Sequence, residues 1–496
     1  MSVFAKLAGL LSAPGKKREV CASALTQASP TLCEDEAAVQ HSTSVTAHTN
    51  GGVGYQVKAK PRRLDRWLDA VVAFSGSNFT FFFILTLLLG WAFAGIRLAH
   101  DENWQVGISD VQAILSYIFD SFLMRQQFNT YDEALSAAAQ LRSRAASHRR
   151  IILQIMADKG AGSLTPDSGA NVAPEDTRFE LDLPRETLFG RFITRSAIVV
   201  GHIATICLYW TCMAIWLGFG PLNHWSNEWQ LYVNSATSAL MVFVFSFLAN
   251  IRERHSDYTQ ICLDATFRVD SHLESMLRRI TRDSLCNEEV VIAPPTVNIL
   301  QRAIYYYADV VGTLVGIALL VIVMMTWLAI GPILHFNSNW WLLIGTYAGL
   351  IGLNDGFVLR NVQAKLKDYE NEQFEQVMLE DESLFALIDQ PLAKVEPERP
   401  SISSRLSLAV GKFCAHEFTV LAGVLVIFAL IAGASALRWD TSGQLICNVP
   451  PSIIESFFMV MLIAGHNSAD SERRGQIKAI HDRRLKLLAW VQTVEY

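Results

Sequence analysis

Apolar residues run through this chain in long unbroken blocks. No Asp, Glu, Lys or Arg lies between Asp69 and Arg97, between Arg195 and Glu228, or between Asp309 and Asp355. A bilayer core about 30 Å thick is crossed by about 20 residues of helix. Backbone polar groups in lipid must be satisfied within the segment, which favours helices. Eight blocks reach that length: Thr80–Ile96, Val106–Met124, Ala197–Leu217, Leu231–Leu248, Ala308–Ile330, Trp341–Leu359, Phe418–Leu437 and Leu445–Ala464. They predict an all-α polytopic membrane protein with eight transmembrane helices. Continuous runs without alternation exclude a transmembrane β-barrel.

The blocks come in pairs, and the pairs repeat. The first span of each pair opens on a small residue followed by a polar one: Gly76-Ser77, Gly201-His202, Gly312-Thr313 and Ala415-His416. Twenty-eight residues after each small residue stand Trp104, Trp229, Trp340 and Gly443, so three of the four are aromatics at the level of an interface. Gly220-Pro221 and Gly331-Pro332 read as helix stops in two of the short connecting loops. After each second span comes a polar stretch with apolar residues three and four apart, an amphipathic helix. Examples are Ile261, Ala265, Val269, Leu273, Met276, Leu277 and Ile280, then Val362, Leu366 and Tyr369, then Ile477, Ile480, Leu487 and Val491, with Arg484 interrupting the last stripe. Four two-span repeats follow, at 61–157, 186–283, 301–390 and 402–494, separated by linkers 158–185, 284–300 and 391–401. The first linker holds a run rich in Gly, Ser, Ala and Pro (Ala161–Pro174), and residues 1–60, rich in Ser, Thr and Ala, read as a disordered cytosolic tail.

Composition adds two points. Of 496 residues, 51% are hydrophobic and 18% charged, and the net charge of −6 says little because the charges are segregated. The short hairpin loops hold only Arg97 and Arg438, whereas the other side carries Arg62, Arg63, Arg125, Arg252, Arg254, Lys365, Lys367 and Arg473, among others. The positive-inside rule puts both termini and the amphipathic helices in the cytosol. The eight cysteines lie within spans or in segments placed in the reducing cytosol and are expected as free thiols. The apolar patch Leu7–Leu11 is followed by Lys16-Lys17-Arg18 and does not read as a secretory signal.

Ionisable groups inside a span are expensive and mark candidate function. Counting 5, 8, 12 and 16 residues past the aligned Trp selects one helix face in each second span. It holds Ser109, Gln112, Ser116 and Asp120; Asn234, Thr237, Met241 and Phe245; Gly345, Ala348, Gly352 and Gly356; and Asn448, Pro451, Glu455 and Met459. Asn354 and Asp355 lie beside the third, small-residue stripe, which lets helices approach closely. The predicted metal-contacting set is Glu455, Asp120, Met241, Ser116, Asp355, Asn354, Met459 and Asn234, a polar path where the second spans converge. Thioethers bias such a path toward softer transition metals than Mg²⁺ or Ca²⁺. In the plainer reading Asp120 and Asp355 reach water, or Arg125 and Arg360, at the cytosolic ends. The amides and hydroxyls then make interhelical hydrogen bonds, and the methionines are core. His202 and His416-Glu417 at the inner mouths, and His100, Asp101, Glu102, His224, Glu228, His335 and Asp440 in the outer loops, gather cations or are simply solvated. No nucleotide-binding or metallohydrolase motif stands out. No cofactor and no nucleic-acid partner are expected, and enzyme activity is not.

The segment LGFGPLNHWSNEWQLYVNSATSALMVFVFSFLANIRER, Leu217–Arg254, resembles the low-affinity iron permease family. The shared features are Gly220-Pro221, Trp229-Gln230-Leu231, Asn234-Ser235, Met241-Val242-Phe243 and Asn250 with Arg252. The opening KPRRLDRWLDAVVAFSGSNF looks like the fungal plasma-membrane members, so the resemblance extends over 60–490. It implies low-affinity Fe²⁺ uptake across the plasma membrane, with Zn²⁺, Cu⁺ or Mn²⁺ as further cargo, and it supplies no ligand set. A +2 ion entering at −100 mV gains about 4.6 kcal/mol, twice the roughly 2.3 per charge, so no ATP is required. The competing reading is a membrane scaffold or assembly protein working through its amphipathic helices, and a homo-oligomer is compatible with either reading. An intramembrane Glu455 is of little use to a scaffold.

Overall fold

The computed structural model describes residues 14–15, 17–27, 54–55, 60–98, 101–159, 183–390 and 402–495. Ala161–Pro174, the linker 391–401, His100 and Cys33 lie outside them. The same order of elements occurs four times. First come α1 (Arg63–Ser75), α2 (Asn78–Leu98) and the long α3 (Glu102–Lys159). Then come α4 (Leu188–Val200), α5 (Ile203–Phe219) and the long α6 (Asn227–Thr281). Next are α7 (Ile299–Val311), α8 (Leu314–Ile330) and the long α9 (Ser338–Leu387). Last are α10 (Ile402–Cys414), α11 (Glu417–Ala436), the short α12 (Thr441–Ile446) and the long α13 (Val449–Glu495). Among the described residues, six helices are long and apolar enough to cross a bilayer, and two bent pairs, α4 with α5 at 50° and α7 with α8 at 66°, raise the number to eight if each is one span. The chain is an all-α polytopic membrane protein.

The small-then-polar pairs sit at the breaks. Gly201 and Gly312 close the preceding short helix through their N–H groups, and His202 and Thr313 cap the next helix by accepting from Ala204 N and Val315 N. The blocks read as Ala197–Leu217 and Ala308–Ile330 are therefore each two helices. The block Leu445–Ala464 is also broken, because Pro450 and Pro451 are tolerated only in the first turn of α13, where N–H groups lack helical partners anyway.

The second spans and the amphipathic segments after them are not separate helices. Each pair is one rod of 58, 55, 50 or 47 residues. At 1.5 Å per residue such a rod runs about 70–87 Å, more than twice the hydrocarbon thickness. The four rods form a ring in which α3 packs on α6 and α9, and α13 packs on the same two. Their apolar windows are 61%, 72%, 72% and 72% buried, against 6% and 17% for α2 and α11, which stand at the periphery. In three hairpins stacked tryptophans join peripheral span to rod: Trp91 on Trp104, Trp216 on Trp229 and Trp327 on Trp340, with ring centroids 4.3, 3.9 and 4.2 Å apart. Trp327 and Trp340 each donate Nε1–H to the other's carbonyl, at 3.0 and 2.8 Å. Gly220 and Gly331 also have a close-packing role, since a Cβ there meets Trp225 or Phe336 at 2.4 Å.

Beyond their apolar stretches the rods form a four-helix bundle whose core includes Ile152, Leu273, Leu277, Leu384, Leu487 and Val491. Ile261, expected on the buried stripe, is exposed, and its neighbours Cys262 and Leu263 face in. Arg484 belongs inside: it is fully buried, 3.0 Å from Asp270 and 2.8 Å from Asp381. Arg144 and Arg278 add contacts to Glu274 at 3.3 and 2.9 Å. His148 stands 3.8 Å from Asp270, and burial, opposed by Asp270 and joined by Arg484, Arg144 and Arg278, drives its pKa down to about 3. Part of the segment read as a disordered tail is ordered here. β1 (Val20–Ala22) pairs antiparallel with β2 (Val290–Ile292), and Gln27 N–H donates to Glu274 at 3.2 Å. The polar composition of the tail hid three strand residues whose partner lies nearly 270 positions away.

Candidate functional site

The faces selected by counting from the tryptophans meet at the ring's centre. Asn234 donates to Ser109 at 3.0 Å, Ser238 to Gln112 at 3.5 Å, and the Thr237 and Ser452 hydroxyls are 3.2 Å apart. The glycine stripe of α9 lies against α13. A Cβ on Gly345 meets Asn448 Nδ2 at 2.8 Å, and one on Gly352 meets Glu455 Oε1 at 2.5 Å. Only glycine lets the two backbones close on those side chains.

Asp120 and Glu455 are fully buried, and all four of their carboxylate oxygens lack a hydrogen-bond partner. Asp120 interacts electrostatically with both Asp355 and Glu455. Asp355 is equally buried, with Oδ1 accepting from the Tyr307 hydroxyl at 2.7 Å and Oδ2 unpartnered. The plainer reading of Asp120 and Asp355 does not hold. Arg125 pairs with Asp69 at 2.6 Å and Asp65 at 3.3 Å, while Arg360 binds Gln363 and the Gly411 carbonyl. Asn354 is half-buried and also bonds Tyr307. Asn234 Oδ1 has no partner, whereas Ser116 is held by Gln112 and the Ala113 carbonyl. Met241 and Met459 are buried in the main apolar cluster beside Phe119 and Phe245, so packing accounts for both. Asp120, Asp355 and Glu455 are thus near enough to act on one another electrostatically. Among the described residues no three His, Cys, Asp or Glu side chains stand as a preformed cage.

Continuing the count to 23 and 30 reaches a further layer that was not drawn from the sequence. Gln127, Arg252, Gln363 and His466, and below them Ala134, Thr259, Glu370 and Arg473, all line one cavity of about 120 Å³ on the ring's axis. All eight come from corresponding positions of the four rods, so the path faces extend into the four-helix bundle. Arg252 holds the Leu123 carbonyl at 3.2 Å and keeps its buried Nε and Nη2 without partners. His255 Nδ1 is 3.0 Å from His466 Nε2 and 3.3 Å from Asp470. Burial, then Arg474 and Arg254, pulls the His255 pKa down to about 3. Those same cations disfavour a divalent metal at the histidine pair. Asp110, buried in the second span with Oδ2 unpartnered, and Tyr307 were also missed. Asp110 lies one position off the counted face, and Tyr307 reaches the axis from α7, a helix the span reading did not separate.

Of the outer-loop candidates, Asp440 caps α12 by accepting from Gly443 N at 2.7 Å, and Glu228 accepts from Tyr232 at 2.9 Å. His202 and His416 are helix caps.

The sequence profile described as low affinity iron permease matches residues 189–293 and 403–480, which take in the second and most of the fourth set of helices. The chain is 36% identical over 509 aligned residues to the "Low-affinity iron/zinc ion transport protein fet4" of Schizosaccharomyces pombe, covering 98% of this chain and 86% of the relative. It is 32% identical over 458 residues to the "Low-affinity Fe(2+) transport protein" of Saccharomyces cerevisiae, covering 86% of this chain and 83% of that protein. No solved structure matches. With identities above 30% sustained across most of both lengths, the chain belongs to the low affinity iron permease family.

Proposed function

We propose that this protein is a low-affinity permease that carries Fe²⁺, and Zn²⁺ with it, across the plasma membrane along the axis of the four rods. In this reading the chain crosses eight times as four two-span units. The peripheral crossings are α2, α5, α8 and α11, and α1, α4, α7 and α10 lie along the cytosolic surface. Both termini are cytosolic. The observation that carries the reading is the pair Asp120 and Glu455, buried on the axis with every carboxylate oxygen unpartnered. An acid in that position costs several kcal/mol unless it is protonated, paired or holding a cation. The printed names of both relatives support iron as the cation, and one adds zinc. Carboxylates with amide and hydroxyl oxygens, in no preassembled cage, suit a site that binds weakly and releases readily.

A scaffold role finds less support. The apolar faces of the cytosolic rods are buried against one another and are not offered to a partner. The test is ⁵⁵Fe(II) uptake into cells lacking other iron importers. Expression of the wild-type chain should give saturable low-affinity uptake. Glu455→Gln, present at the surface in normal amount, should remove most of it, and Asp120→Asn a smaller part. Wild-type uptake by Glu455→Gln would move the site elsewhere, with Asp355 and Asn354 the next residues to replace.

A further inference from the structure

A groove of about 590 Å³ lies between the second and fourth sets of helices. One side is the α4–α5 break at Gly201-His202, the other the α10–α11 break at Ala415-His416, and α9 and α13 form the floor. Its surfaces differ in character. Ile198, Ile203 and Met461 are apolar, and Val199 and Phe413, chain neighbours of the lining residues Ile198 and Lys412, are 67% and 72% exposed. The α9 floor carries Arg360, Lys365 and Lys367, with Asp368 as the acid that lines it, and the α10 side adds Lys412.

Two of these cations are already neutralised, since Lys365 pairs with Glu417 at 3.4 Å and Lys367 with Glu472 at 3.0 Å. Among the described residues, no carboxylate lies within salt-bridge reach of Arg360 or Lys412. Arg360 is 8% exposed and its Nε has no partner, while its two Nη atoms meet only neutral oxygens, Gln363 Oε1 at 2.8 Å and Gly411 O at 3.2 Å. Asp368 acts on Arg360 only from beyond salt-bridge reach; a buried guanidinium with no anion in direct contact is costly, and a planar fork of N–H donors matches a phosphate. A basic floor beside an apolar wall, at the inner ends of peripheral spans, calls for a ligand with an anionic head and an apolar tail.

We propose that this groove binds one anionic phospholipid, its phosphate against Arg360 and Lys412 and its acyl chains along Ile198 and Ile203, tying the second and fourth units together. The proposal rests on the orientation argued above, which puts the helix breaks at the cytosolic surface. The occupant is a lipid rather than a soluble phosphate because the apolar wall and its exposed apolar neighbours continue into the lipid-facing surface of α5 and α11.

The full-length chain in neutral detergent provides the test, by native mass spectrometry and thermal unfolding with added phosphatidylserine, phosphatidylcholine or inorganic phosphate. One phosphatidylserine per chain should be retained and should raise Tm, with phosphatidylcholine and inorganic phosphate doing neither. Lys412→Gln should weaken retention about fivefold, and Arg360→Gln with Lys412→Gln about 30-fold. Arg360→Lys should keep the lipid. If Arg360→Gln does not fold, Lys412→Gln carries the comparison alone. Equal protection by phosphatidylcholine, or by inorganic phosphate, overturns the proposal, as does unchanged retention in the Lys412 variant. None of these readouts involves metal, so they stand apart from the transport assay, and reporter fusions test the orientation separately.

Discussion

Gly352 offers the most incisive perturbation of the proposed path, because it alters no polar group. A Cβ at this position meets Glu455 Oε1 at 2.5 Å and the carboxyl carbon at 2.7 Å, whereas ordinary contacts begin near 3.4 Å. Gly352→Ala must therefore displace the carboxylate by about 0.9 Å, the difference between those two distances. The atoms that must give are the far end of a flexible side chain, so the fold can absorb the change. Alanine also favours the interior of α9 by about 1 kcal/mol over glycine. The expected variant is at least as stable as wild type, reaches the surface normally, and takes up ⁵⁵Fe(II) about 10–100-fold less well, the range lost when a metal ligand's support is disturbed. Surface biotinylation and thermal unfolding check the first part, and uptake against Fe²⁺ concentration checks the second. Gly349→Ala is the control on the same helix, since its Cβ first meets the Cys447 carbonyl at 3.1 Å and not a carboxylate. Wild-type uptake by Gly352→Ala, with Gly349→Ala equal to it, would refute the idea that the placement of Glu455 governs transport.

The remaining predictions concern other parts of the chain. A reporter fused after Asp440 should read extracellular and one fused after Thr130 cytosolic, and opposite readings would sink the proposed topology. Arg252 places a buried positive charge on the proposed route, so Arg252→Gln should speed Fe²⁺ uptake severalfold while Arg252→Lys leaves it near wild type. Slower uptake by a normally expressed Arg252→Gln would show that the guanidinium is needed and is no barrier. His148, with its pKa lowered to about 3 from 6.5, stays neutral in the fold while the unfolded chain takes up a proton below pH 6.5. Its contribution is complete above that pH and falls away on acidification, by about 2 kcal/mol at pH 5 from a slope of about 1.4 per unit. Asp381, raised to about 6 by burial, has the opposite sign, but it is common to both proteins when wild type is compared with His148→Phe. The variant should therefore lose less Tm between pH 7 and pH 5, and parallel losses would remove His148 from the account.

Charge-free runs such as Arg195–Glu228 determined by themselves that this chain enters a membrane as helices, because no other backbone satisfies its own polar groups in lipid. The spacing from Trp104, Trp229 and Trp340 was enough to choose the helix faces that meet on the axis, since a helix repeats its direction every 3.6 residues wherever it packs. Tertiary structure decided what such periodicity cannot express. Gly201 and Gly312 could be read as openings of spans, but only the packing of α4 and α7 shows them as breaks between two helices. Arg484 looked like an interruption because its partners, Asp270 and Asp381, are on other rods. Asp120 looked able to reach Arg125, but Arg125 is taken by Asp65 and Asp69 of α1. Which charge neutralises which, and which carboxylate is left alone, depends on residues tens to hundreds of positions apart arriving within about 4 Å, and no local pattern encodes that distance.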